Sequence, residues 1–389
     1  MATIAALNAL KPQVEWFDSL MTKSSPKLSA LKYILEGRGE NGIGTGDIKL
    51  VESELVKLVM DNKYLKEPSE TMYVYEQQSA LGKQYGLWTM TSAEDFLKGK
   101  ILGHEQTRLD REIRISDYRA SVGLEGSPVL LTYQQNTLID AFLLKIINSR
   151  QPICYREDLK SHKFWQISNQ QELDEIIDLF SKINNVYIGD GHHRLTSASK
   201  MQAESPQWVM SLYVSTSQLN ISTFTRLVLP DREFNVDILI GCLGRIFYIS
   251  PVPSNIPYVP DRQHRFGLLI DGTWFQLDLK PECYELSKMP DVSFLQKAVL
   301  DPLLGIKDPK TDHRLHSLPL NKLEQTIIDA NQHKNAVLFT VYPISVHKLI
   351  EQAEMEICLP PKSSFIEPKV PYGLLLSLGP ILKHLKSDS

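Results

Sequence analysis

The segment Val186-Tyr187-Ile188-Gly189-Asp190-Gly191-His192-His193-Arg194 gathers the sharpest chemistry in the chain. A β-branched run leads into a glycine-flanked aspartate, and two histidines and an arginine then open a predicted helix. Glycines at 189 and 191 allow backbone geometry that a Cβ would forbid, and the helix start presents free N–H groups and the positive end of the dipole. Such a turn suits an anion, and phosphate is the usual guest. The histidines and arginine add donors, while Asp190 can orient a histidine or hold Mg²⁺ against phosphate oxygens. The competing reading is a surface helix start, with Asp190 as N-cap and a solvated basic first turn. Cations at a helix N-terminus oppose the dipole, so the anion site is favoured.

A second group is Gly103-His104-Glu105-Gln106-Thr107-Arg108, followed by Asp110, Arg111 and Arg114. Glu105, beside His104 at the start of a predicted helix, is a candidate general base. The pattern also fits an ordinary charged helix with i, i+3 and i, i+4 pairs. The third group is Pro360-Pro361-Lys362-Ser363-Ser364-Phe365, ahead of Glu367, Pro368 and Lys369. A lysine with two hydroxyls in a proline-stiffened loop can bind a carboxylate or a phosphate, although no GxxxxGK[ST] pattern exists. His313 and His316 lack a third ligand at metal spacing and read as a solvated loop.

Strands and helices must place these groups. Apolar alternation predicts strands at Met72–Tyr75, Leu87–Met90, Val129–Tyr133, Phe164–Ile167, Val186–Ile188 and Met210–Val214. Helical spacing marks Thr107–Ser121, Leu138–Ile147, Glu172–Ile183, His192–Met201 and Val236–Leu243. Further strands are expected near Ile246–Ser250, Phe266–Leu269, Thr273–Leu277 and Val337–Val341, with helices near Ser293–Leu300 and Ser345–Glu354. The alternation gives an α/β or α+β class. Lys23–Asp47 reads as a mobile connection, Pro251–Arg262 as a break too proline-rich to lie inside an element, and Tyr372–Leu382 as a buried strand and turn.

At 389 residues the chain is too long for one ordinary core. Its 42% hydrophobic and 23% charged content excludes disordered, collagen-like and coiled-coil classes. The net charge of −4 gives no global field to gather polyanions, so no nucleic-acid partner is expected. Four scattered cysteines suggest neither a disulfide framework nor a zinc site and fit a reducing compartment. No window has the roughly 20 apolar residues that span a bilayer, so the expected location is the cytoplasm, with no membrane partner.

Taken together, the three groups resemble a large bacterial and archaeal family of domains of unknown function whose hallmark is a strand ending in (A/V)DGHHR. That family is similar to the ADP-dependent free-serine kinases of the ParB/sulfiredoxin-like superfamily. GHEQT at 103–107, DGHHR at 190–194 and PPKSSF at 360–365 match in order. PVLLTY, KFWQI, TRLVLP at Thr225–Pro230 and DPLLGI at Asp301–Ile306 also fit, so the resemblance covers about residues 70–380. Gly189 replaces the family's small apolar residue, and residues 1–60 lack its proline-rich opening.

The resemblance implies a ParB/sulfiredoxin-like nucleotide-binding core at 70–250 carrying the HEQT and DGHHR motifs. An N-terminal segment, 1–69, would precede it, and an additional α/β region, 251–389, would carry the PPKSS loop. It further implies a small-molecule kinase that moves a phosphoryl group from ADP or ATP, with Mg²⁺, to the hydroxyl of free L-serine or a similar amino acid. Glu105 would take the hydroxyl proton, with His104 and Asp190 in the catalytic group. Asp190, Gly191, His192, His193 and Arg194 would cradle the nucleotide phosphates, and Lys362, Ser363 and Ser364 would hold the amino acid or its product. Glu105, His104 and the 190–194 turn are expected to converge on one cleft, with the 360–365 loop as its opposite wall. The alternative is a non-catalytic nucleotide-binding switch or scaffold, which needs no base beside its phosphate site.

Overall fold

A computed structural model describes residues 2–21, 53, 55–105, 107–121, 123–157, 160–201, 206–253, 256–371 and 373–378. The Lys23–Asp47 connection lies outside the described residues. The chain divides into two compact units, one of residues 1–103, 107–220 and 368–389, the other of 104–106 and 221–367. The class is mixed α/β, as the alternation of periodicities required.

The first unit is built on a nine-stranded mixed sheet. Its order is Ile101–Leu102, Val186–Asp190, Val129–Tyr133, Trp208–Ser215, Gly82–Ser92, Met72–Ser79, Lys160–Ile167 and Ile153–Glu157, with Ile4–Ala5 also paired to Gly82–Ser92. Helix Thr137–Ser149 places Ile139, Phe142, Leu143 and Ile146 in the core at i, i+3, i+4 and i+7, and helix Gln170–Ser181 adds Leu173, Ile176 and Phe180. Each such side chain contributes about 1.5 to 3 kcal/mol of burial. Asn136 and Asn169 start these helices by accepting two backbone N–H groups each. A smaller sheet joins Tyr64–Lys66, Ala9–Pro12, Leu376–Leu378 and Leu124–Glu125. The expected strand in Tyr372–Leu382 is thus present at 376–378; residues 372 and 379–382 lie outside the described set.

The second unit is an antiparallel six-stranded sheet ordered Phe247–Val252, Thr273–Leu279, Arg265–Ile270, Val337–Val341, Arg226–Val228 and Leu315–His316. Its central hairpin turns at Asp271-Gly272, both at positive φ, the turn that an Asp-Gly pair favours. Helix Val236–Ile246, capped by Asn235, buries Leu239 and Leu243 in the same core as Phe266, Leu268 and Phe339.

Several expectations need correction. Pro251 does not break the chain: it lies inside Phe247–Val252 opposite Phe275, and this strand is at the sheet edge, where a missing N–H is tolerated. The helix expected at Ser293–Leu300 is an α-turn Asp291–Leu295, a π-turn Gln296–Leu300 and a further α-turn Asp301–Leu304. Pro302 supplies the reason, since its ring crowds the carbonyl four residues before it and a wider turn relieves the clash. Strands Met72–Ser79 and Gly82–Ser92 run further than their apolar cores, because the polar Glu76, Gln77 and Gln84 are buried in the hairpin. Glu105 does not open a helix. It forms a bridge with Leu359, and the helix begins at Leu109.

Candidate functional site

In the first unit, strand Val186–Asp190 delivers the glycine-flanked aspartate to the start of helix His192–Lys200. Pairing with Val129–Tyr133 slips between Ile188 and Asp190, so Gly189 sits in the irregularity. Gly191 is the N-cap at φ 96° and ψ 25°, and its carbonyl accepts from Arg194 N at 2.9 Å and Leu195 N at 3.1 Å. A Cβ there would lie 2.8 Å from Arg194 Nη2. Only glycine therefore combines this backbone with the folded-back arginine.

The helix has no acidic residue in its first turn. Asp190, two residues before it, sits 3.6 Å from Arg194 Nη2 and 3.4 Å from Lys369 Nζ. Arg194 also donates to Ser127 O at 2.6 Å, so it is partly a structural brace. His192 is buried and its Cδ2 would lie 3.4 Å from a Cβ on Gly103, while Arg108 N donates to His193 Nδ1 at 3.4 Å. Helix Leu109–Ser121 steadies the turn from behind: Lys200 Nζ meets the buried Glu112 at 2.7 Å and Ser197 Oγ donates to Glu112 O at 3.0 Å. Arg108 and Arg114 of the second motif both pair with Asp110, an ordinary charged face.

In the second unit, two segments more than 250 residues apart in sequence come together. Leu359 N donates to His104 O at 2.9 Å, His104 Nε2 lies 3.1 Å from Ser364 Oγ, and Lys362 N donates to Glu105 Oε1 at 3.4 Å. His104 is fully buried, and desolvation pushes its pKa down to about 4, so the ring is neutral at pH 7. Its geometry suits orienting Ser364. Ser363 is buried and donates to Pro360 O at 2.5 Å, whereas Lys362 is exposed, holds φ 61° and sets its ammonium 5.3 Å from the Phe224 ring. His104, Glu105, Lys362, Ser363 and Ser364 are therefore gathered in this unit, and Asp190 to Arg194 belong to the other.

Two further residues stand beside these groups. Lys369 reaches Asp190 while its carbonyl accepts from the buried Gln77 amide at 3.0 Å; it stands only five residues past the serine pair, but nothing local ties it to a turn nearly 180 residues earlier. Arg226 is buried within a strand, and an arginine in an apolar run was the one available signal. The His313–His316 pair is a surface feature, with His313 exposed and 3.0 Å from Asp231.

The family model described as Protein of unknown function (DUF1015) matches residues 30–303. The chain belongs to this family. The DUF1015 match takes in Glu105, the 190–194 turn and Arg226, and ends before the 360–365 loop. No curated protein matches the sequence. Among solved structures, the DUF1015 chain is similar to a free serine kinase variant in complex with ADP, at 12% identity and TM-score 0.40, over 74% of this chain and 92% of that one. It is also similar to a conserved hypothetical protein from Pyrococcus furiosus, at 12% identity and TM-score 0.40, over 75% and 95% of the two chains. A third similar structure is SbnI with C-terminal truncation from Staphylococcus aureus, at 13% identity and TM-score 0.43, over 78% and 90%. No helix among the described residues is long and apolar enough to cross a membrane.

Proposed function

We propose that this protein is a phosphotransferase that moves a phosphoryl group from ADP or ATP to the hydroxyl of free L-serine or a similar amino acid, giving O-phosphoserine. The observation that carries the reading is the meeting of the 104–105 pair with the 360–364 loop: the Glu105 carboxylate accepts from the Lys362 backbone N–H, and His104 meets Ser364. A base must act within hydrogen-bond reach of the proton it takes, and a loop able to hold an amino acid beside a carboxylate meets that need. The Gly191 turn, with helix N–H groups, two histidines and Arg194, supplies the groups a phosphate requires.

In this reading Glu105 accepts the serine hydroxyl proton as the oxygen attacks the terminal phosphorus. The bond to the bridging oxygen breaks, and AMP leaves from ADP, or ADP from ATP. His104, buried and neutral, orients Ser364. Asp190 would hold a Mg²⁺, and the ion would supply neutralisation of the phosphate charge. Lys369 and Arg194 would be released from Asp190 toward phosphate oxygens. Incubation with L-serine, Mg²⁺ and either ADP or ATP, followed by phosphorus NMR, tests the reading: a phosphoserine resonance is expected. Nucleotide binding with no phosphoserine from any hydroxylated amino acid would replace it with the nucleotide-binding switch.

A further inference from the structure

Arg226 is 2% exposed and presents its guanidinium to four backbone carbonyls. Nη1 lies 3.5 Å from Phe224 O and 3.2 Å from Thr225 O, while Nη2 donates to Pro361 O at 3.2 Å and Lys362 O at 2.9 Å. One side of this bridge is rigid. Arg226 pairs with Phe339 in the six-stranded sheet, and Thr225 N donates to Leu318 O at 2.8 Å. The other side is a turn whose Lys362 holds a positive φ that a non-glycine residue adopts only under restraint.

Burying a guanidinium is an expensive way to satisfy carbonyls that water could serve. Burial depresses its pKa to about 10, which leaves it charged at neutral pH, and the Glu105 carboxylate is the group that opposes that depression. The planar fork can meet carbonyls on both sides at once, whereas an ammonium is a point donor. Phe224, two residues before Arg226, lies under the Lys362 ammonium and packs edge-on against Phe365 at 5.3 Å. One short segment therefore fixes both the backbone and the side chain of Lys362.

We propose that Arg226 is a positioning residue that clamps the Pro361–Lys362 backbone, so that the Lys362 N–H faces Glu105 and the serine-binding loop is held ready. This rests on the function proposed above for that loop, but the clamp can be read without turnover. The full chain is compared with Arg226→Gln and Arg226→Lys by limited trypsin digestion, scoring cleavage at the Lys362–Ser363 bond against cleavage after the exposed Lys334. In the parent the carbonyl of the Lys362–Ser363 bond is held. Both variants are expected to raise the ratio at least about tenfold, because a lysine cannot span the two sides of the bridge. In phosphotransfer, the serine KM is expected to rise roughly 10- to 100-fold with the nucleotide KM unchanged, and free guanidinium ion is expected to restore part of the loss in Arg226→Ala.

If Arg226→Gln does not fold, Arg226→Lys and the guanidinium-supplemented Arg226→Ala carry the test. A folded variant with the parental cleavage ratio overturns the clamp, and so does an unchanged serine KM in an active enzyme. A parent that makes no phosphoserine, but whose Lys362 bond opens when Arg226 is replaced, removes the kinase reading and leaves the clamp standing.

Discussion

Asp291 offers a test of the second unit that needs no ligand. Its side chain is 5% exposed, accepts from His264 N at 3.0 Å and lies 3.4 Å from His264 Nδ1, in a small cavity shared with Ser363. Burial is the larger influence and the His264 N–H opposes it; the net result raises the carboxyl pKa from 3.8 to about 7. A raised acid means that the folded protein holds the proton more tightly than the unfolded chain. Stability from this group is therefore complete below pH about 4 and is lost as pH climbs through 7. The rise is a factor of roughly a thousand in proton affinity, equivalent to about 4 kcal/mol, and relaxation and water penetration bring the expected effect to about 2 to 4 kcal/mol. Asp291→Asn keeps the acceptor for His264 N and removes the titration. The variant should match the parent near pH 4 and exceed it by that amount at pH 8. The assay is urea unfolding at fixed pH, read by pulsed hydrogen exchange on peptides from strand Val337–Val341, so that only the second unit is followed. Parallel stability curves for parent and variant from pH 5 to 8 would refute the assignment of a buried, raised carboxyl.

The remaining expectations concern the candidate site. Glu105→Gln keeps size and hydrogen bonding but removes the proton acceptor, so serine phosphorylation should fall by roughly 10²- to 10⁴-fold while nucleotide affinity by calorimetry stays near parental; parental turnover would remove Glu105 as base. Arg194→Ala should weaken nucleotide binding by about 1.5 to 3 kcal/mol, the range for a charge-assisted hydrogen bond, and should also lower Tm, because the guanidinium braces Ser127 O; unchanged affinity would argue against a phosphate role. Gly191→Ala forces a Cβ into positive φ and against Arg194, so a loss of about 1 to 3 kcal/mol in stability is expected from thermal unfolding, and a variant as stable as the parent would contradict the turn geometry.

The amino-acid sequence by itself determined the local elements, because their signals are local. The spacing of Ile139, Phe142, Leu143 and Ile146 is a helix face wherever it occurs, Asp271-Gly272 favours a hairpin turn from its own backbone preferences, and Gly189-Asp190-Gly191 after a β-branched run marks a strand-to-helix turn. What only the tertiary structure decided depends on contacts between distant segments. Glu105 sits in an isolated bridge rather than a helix start because its partner, Leu359, lies more than 250 residues away, and bridge pairing leaves no periodicity in either segment. The neutrality of His104 follows from burial, and burial is set by the elements packed around a residue. Arg226 stands in an apolar strand, and only the fold brings four carbonyls from two segments to its guanidinium. Lys369 meets Asp190 through its ammonium and Gln77 through its carbonyl, two contacts between segments far apart in the chain. Propensity and capping act over a few residues, whereas desolvation and long-range hydrogen bonds appear only when the whole chain has closed on itself.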